Sequence, residues 1–179
     1  MTSLFIVTVI IAIALIAKGI VWVCLPQGVN RLAHWALRSP ALGVLIFGIA
    51  GLWFLWIIAH LGEADFGEYK NWLLLIFGAV VLGSFFYLKD FLFVRGLAIL
   101  ELLIAKFILD VAYMQEPLGR LFLVIFTYLL IIQALYFAAL PYKMRDVLNW
   151  IFSSNVRIKQ FALGYIVYGL ILVGAAFLY

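Results

Sequence analysis

Six runs of roughly twenty apolar residues, about 3–24, 41–60, 71–88, 91–113, 121–140 and 161–179, leave this chain few ways to fold. A helix rises about 1.5 Å per residue, so a run of about twenty covers the ~30 Å hydrocarbon core of a bilayer. Inside hydrocarbon every backbone N–H and C=O must find a partner in the protein, which admits only helices and closed barrels. The expected fold is all-α: a polytopic membrane protein of six transmembrane helices. Composition agrees, since 69% of the chain is hydrophobic and only 11% charged, where a soluble domain carries about 25% charged residues.

The connections alternate in charge. Residues 61–70 carry Glu63, Asp65, Glu68 and Lys70, and residues 114–120 carry Glu116 and Arg120. The other three are basic: Arg31 and Arg38 in 25–40, Lys89 and Asp90 at a tight turn leading to Arg95, and Lys143, Arg145, Arg157 and Lys159 in 141–160. With six spans, eight Lys/Arg fall on one side and only Lys70 and Arg120 on the other. The positive-inside rule assigns the basic side to the cytoplasm and both termini to the outside. Tryptophans suit the same placement, with Trp22, Trp35 and Trp150 at the inner interface, Trp56 and Trp72 at the outer one, and Trp53 deeper. Met1-Thr2-Ser3 lacks a basic n-region and the run behind it is too long for a signal-peptide core, so it is read as a retained span. A bacterial-type inner membrane is the expected location.

Two stretches offset by 115 residues correspond. Leu25-Pro26 leads to Trp35 and Ser39, and Leu140-Pro141 leads to Trp150 and Ser154. In the first, Val29, Leu32, Ala33 and Ala36 share one helical face, opposite Asn30, Arg31, His34 and Arg38. In the second, Met144, Val147, Leu148 and Ile151 occupy the apolar positions, opposite Arg145, Asp146, Asn149 and Ser153. Proline suits a first helical turn, where its missing N–H is not needed. Both stretches are too short and one-sided to span, so two in-plane amphipathic helices at the cytoplasmic interface are expected. The whole, 1–179, reads as a single transmembrane domain with repeat-like units 3–60 and 121–179 around a central hairpin, 71–113. The units are parallel, unlike the inverted repeats of many alternating-access transporters.

Four charged residues fall inside expected spans: Lys18 in the first, and Glu101, Lys106 and Asp110 in the fourth. Each costs roughly 2.5–3.5 kcal/mol at the bilayer centre, so each needs a partner or a purpose. Lys106 and Asp110 are four residues apart and meet on one face, with Arg95 close to that face. Glu101 points elsewhere and either takes a partner from another span or is protonated. Lys18 and Gln133, which occupy equivalent positions in the repeat, are the candidates, with Thr127 and Ser84 behind them. These side chains compose either an ion pathway or a set of assembly contacts.

Chemistry is otherwise sparse. His60, Glu63, Asp65 and Glu68 could offer ligands to a cation, but their spacing matches no established metal loop, so a solvated acidic loop is expected and no metal. His34 and His60 fall on opposite sides and cannot share one haem, and no cofactor is implied. The lone Cys24 supports neither a disulfide nor a thiolate cluster. No phosphate loop, nucleophile elbow or metalloprotease motif is present, which makes an enzyme the weakest class. Basic residues are dispersed between apolar runs, so nucleic acid is not a partner. Glycines crowd the spans; those at 164, 169 and 174 recur every five residues rather than every four, so no tight small-residue seam is expected, while Gly169 and Gly174 still permit close approach. The expected function is a non-enzymatic subunit or scaffold of a larger membrane complex, with a membrane-protein partner or a homo-oligomer in the lipid bilayer. The alternative is a small transporter or channel using the buried charges of the fourth span.

Overall fold

The structure is a computed structural model and describes residues 2–62, 66–87 and 91–179; Glu63, Asp65, Lys89 and Asp90 lie outside them. Regular structure among the described residues is all helical. In chain order the α-helices are α1 (Thr2–Cys24), α2 (Pro26–Arg38), α3 (Pro40–Ala59), α4 (Lys70–Tyr87), α5 (Leu92–Ala112), α6 (Arg120–Ala139), α7 (Pro141–Phe152) and α8 (Asn155–Ala176), with a 3-10 turn at Gly67–Tyr69.

Five are long and apolar enough to cross a membrane: α1, α3, α4 with its leading turn, α6 and α8. The fourth expected span, α5, has a similar length of 21 residues, but its four charged residues, Arg95, Glu101, Lys106 and Asp110, set it apart in composition. The last helix begins at Asn155 rather than near residue 161, so Arg157 and Lys159 ride on its first turns instead of a loop.

Proline opens α2, α3 and α7. The backbone of Leu25 (φ −131°, ψ 52°) is nearly repeated at Leu140 (φ −125°, ψ 68°). Each donates its N–H to the carbonyl four residues back, Val21 and Tyr136, at 2.9 Å. Ser39 caps α3, its side chain accepting the Leu42 N–H at 3.3 Å, while Ser154 stands at the same place before α8 without a side-chain cap bond.

The longest contact joins the first helix to the last, α1 with α8. They run antiparallel: a Cβ on Gly19 would stand 2.7 Å from the Ala162 carbonyl, and one on Gly169 would stand 2.9 Å from that of Ala12. The seam is built from small residues seven apart, Ala12 and Gly19 on α1 against Ala162, Gly169 and Ala176 on α8. Of the glycines spaced by five, Gly164 and Gly174 face open space.

Helix α5 lies between α3 and α6. Gly96 brings it against α3, where an added Cβ would come within 2.7 Å of Phe47 backbone atoms. Helix α4 packs on the other side of α3, through Phe47–Phe85 and Phe54–Phe77. At one end Leu4, Ala12, Leu15, Ile108, Ala112, Leu123 and Leu172 form the main apolar core. At the other, Trp22, Ile151, Ile158 and Ala162 form a smaller one. Trp22, expected at a wet interface, is instead 8% exposed, its ring 5.3 Å from Phe152 and 5.6 Å from Tyr165. Trp35, Trp56, Trp72 and Trp150 are exposed.

Candidate functional site

Polar side chains from four helices converge on one cleft of about 480 Å³. Lys18 of α1, Glu101 of α5, Gln133 of α6 and Gln160 of α8 supply its polar groups, together with Tyr165 and Tyr168. Leu15, Phe126, Leu129, Leu130 and Phe161 supply its apolar wall, and Gly164 leaves room on the α8 side.

Glu101 is held across the α5–α6 contact. Gln133 donates from Nε2 toward both carboxylate oxygens, at 3.4 and 3.5 Å. Lys18 lines the same cleft, with its ammonium 4.3 Å from the Tyr165 ring centre and 5.8 Å from that of Trp22. Lys18 is exposed along the cleft, and a cation over an aromatic face at an exposed site gains about 0.5–1 kcal/mol, which gives Lys18 a partner other than a carboxylate. The Tyr168 hydroxyl donates to the Phe122 carbonyl at 2.8 Å and is thereby fixed.

Depth follows from helix geometry. Lys18 is six residues from the end of α1, and Gln133 six from the end of α6, or about 9 Å at 1.5 Å per residue. Gln160 is five residues into α8. All three place the cleft toward the end that carries α2 and α7. Beyond it the core is apolar. Thr8 and Thr127, the buried hydroxyls there, are each bound to their own helix, to the Leu4 and Leu123 carbonyls at 2.8 Å. Ser84 is spent likewise on Val80 at 2.7 Å. Thr127 and Ser84 thus do not partner Glu101.

Lys106 and Asp110 are separate from this cleft. They form an ion pair at 2.5 Å on α5, with side chains 56% and 61% exposed, beside the exposed Ile104 and Phe107. Glu101 and this pair leave α5 in different directions, so the charges of α5 do not line up into one track.

At the opposite face of the bundle from the Thr8 end, Arg38, Arg145, His34 and Ser39 border a second cavity. On the apolar side of α7, Val147 and Ile151 pack against Trp22 and Ile158, and Val29 of α2 joins them. Arg31, Asn149 and Trp150 are exposed. Arg157 donates to the Trp150 carbonyl at 2.7 Å and to Ser153 Oγ at 2.9 Å, and lies over the Trp150 ring.

His60 is tied to its own helix, Nδ1 lying 2.8 Å from the Trp56 carbonyl, with the two ring centres 4.6 Å apart and the planes tilted by 41°. Glu68 sits in the 3-10 turn, and Glu63 and Asp65 lie outside the described residues. Among the described residues no group of three His, Cys, Asp or Glu comes together. Two cleft members escape a reading of spans alone. Gln160 stands where a loop was expected, although its four-residue steps to Gly164 and Tyr168 mark one helical face. Tyr165 reads as core aromatic until Lys18 is placed over it. Compared with family models, curated proteins and solved structures, the chain matches none.

Proposed function

We propose that the protein is a non-enzymatic integral subunit or scaffold of a larger membrane complex. The observation that carries this reading is the Lys106–Asp110 pair, exposed on the flank of α5 in the middle of the bundle. Ionisable groups within spans almost always face a bundle interior or a wet cavity, because hydrocarbon solvates neither charge. A flank that presents both signs, four residues apart, is a surface for another membrane protein.

In the proposed arrangement α1, α3, α4, α5, α6 and α8 span and α2 and α7 lie in the cytoplasmic interface. Both termini are outside, in an inner membrane of bacterial type. Units 3–60 and 121–179 are related by duplication. Supporting this, α1 and α6 end at residues 24 and 139, α2 and α7 begin at 26 and 141, and α3 and α8 begin at 40 and 155, each pair 115 apart.

Extraction in mild detergent and measurement of the mass and subunit composition of the complex test the proposal. A stoichiometric partner that survives in wild type and dissociates in Lys106→Leu/Asp110→Leu is the expected result. A wild-type monomer, or a homo-oligomer with no partner, overturns it.

The cleft favours a second reading, a small transporter, since Lys18, Glu101, Gln133 and Gln160 offer both charges and both amide dipoles to a solute. The apolar core beyond the cleft would have to open for passage. Solute or proton flux in reconstituted vesicles, abolished by Glu101→Gln, is what this reading requires. Equal flux in vesicles with and without the protein removes it.

A further inference from the structure

The second cavity, about 470 Å³, is basic and lies apart from the Glu101 cleft. His34 and Arg38 reach it from one face of α2, and Arg145 reaches it from α7. Ser39, Pro40 and Gly43 bring in the first turn of α3, and Phe91, Leu92 and Phe93 bring in the first turn of α5. Three basic side chains therefore meet two helix N-termini.

Of these, α3 has most of its donors spent, since Pro40 has no N–H, Ser39 Oγ takes the Leu42 N–H and the Ser39 carbonyl takes the Gly43 N–H; α5 supplies the amides. The first intrahelical bond of α5 is Arg95 N–H to the Phe91 carbonyl, so the amides of Leu92 and Phe93 have no partner within the helix. A Cβ on Gly43 would stand 3.2 Å from the Phe93 nitrogen, so any side chain at 43 would crowd that amide. Helix N-termini bear about half a positive charge and bind phosphate oxygens through such amides.

The acidic side chain nearest in sequence to these cations, among the described residues, is Asp146. Its carboxylate is 3.5 Å from Arg145, in a pair about half exposed on both sides. Pairs of that kind are worth about 0–1 kcal/mol and yield to a stronger anion. Nor is the basicity a generic property of the interface helices. At the offset of 115, His34 and Arg38 correspond to Asn149 and Ser153, and Arg145 corresponds to Asn30. The positive charge is concentrated on one flank.

We propose that this basin binds a net-negative phosphate group, with Arg38 and Arg145 as the charged clamp, His34 as a further donor and the Leu92 and Phe93 amides of α5 as the floor. An anionic phospholipid headgroup and a soluble phosphate compound share this chemistry, and basic pockets between helices on the cytoplasmic side are suited to the former.

The test uses the full chain in mild detergent. Unfolding midpoints are recorded against dioleoyl phosphatidic acid, dioleoyl phosphatidylcholine and inorganic phosphate. The proteins are wild type, Arg38→Gln/Arg145→Gln, His34→Gln and the charge-matched control Lys143→Gln/Lys159→Gln. Ligand that binds only the folded state raises the midpoint with concentration, which yields an apparent affinity. Phosphatidic acid stabilises wild type and the control alike, within about twofold in apparent affinity; the arginine pair variant loses at least about tenfold, and His34→Gln loses less. If inorganic phosphate alone reproduces the shift, the source is a soluble phosphate compound; if only the lipid does, it is a headgroup. Both results support the site. Equal shifts from phosphatidylcholine, equal losses in the control, or no shift from any probe overturn it. Should the arginine pair variant not fold, His34→Gln against the control decides, a weakening of at least about threefold confined to His34→Gln being the supporting result.

Discussion

Gln133 points its amide at Glu101 across the α5–α6 contact, 3.4 and 3.5 Å from the two carboxylate oxygens. The two residues are 32 apart in sequence, and their pairing turns an isolated carboxylate into part of a cleft.

That pairing predicts coupling. Glu101→Gln, Gln133→Leu and the double variant form a cycle whose unfolding free energies in detergent differ from additivity by about 0.5–1.5 kcal/mol. Additivity within about 0.3 kcal/mol would show that the two side chains do not interact.

Helix contact at Gly96 is sensitive to a single methyl group. Gly96→Ala drives a Cβ to within 2.7 Å of the Phe47 backbone, which has no side-chain freedom with which to yield. Loss of about 1–3 kcal/mol is expected from overpacking. Gly78→Ala, which meets nothing within 4 Å, leaves stability unchanged or slightly raised, since alanine favours helix over glycine. Equal melting of the two variants would contradict the α3–α5 contact.

The paired caps are unequal. Ser39→Ala removes the acceptor for the Leu42 N–H and costs about 1 kcal/mol. Ser154→Ala removes no cap bond, so its cost stays within a few tenths of a kcal/mol. Chemical denaturation of the two variants side by side checks this, and a larger loss at Ser154 would reverse the assignment.

Orientation has a direct measurement. Epitope tags placed before Met1 and after Tyr179 are expected to be reached by antibody on intact cells stripped of any outer envelope, while a cysteine at Ser153 in a Cys24→Ala background reacts only with permeant maleimides. Protection of both tags would invert the topology.

Much of the helical order was legible in the sequence, because lipid as solvent turns length and apolarity into a span almost without ambiguity. The start of α8 was not. Arg157 and Lys159 look like loop residues, yet a helix crossing an interface keeps its charges on its first turn and bonds Arg157 to the Trp150 carbonyl. Trp22 shows the limit of the aromatic-belt rule: its depth fits an interface, but Phe152 and Tyr165 arrive from segments 130 or more residues away and bury it. Counting glycines found the close approach at Gly169 but not at Gly174, and not the rest of the α1–α8 seam, because Ala12, Ala162 and Ala176 serve the same purpose and the period is seven. The Lys106–Asp110 pair was readable from helical spacing; that it faces outward was not, since this depends on which neighbours α5 takes.

The partnership of α1 with α8 has a consequence for biosynthesis. Ala12 and Gly169, which meet in the folded protein, are separated by most of the chain. At about 5–20 residues per second, translation leaves the first helix in the membrane for on the order of ten seconds or more before its partner emerges. Throughout that interval Lys18 has neither Tyr165 nor the cleft to shelter it, and the small-residue seam is open. Insertion factors or a transient companion helix would meet the nascent chain at this face, and truncation before α8 would leave a long-lived, unpartnered first helix as the species for quality control to recognise.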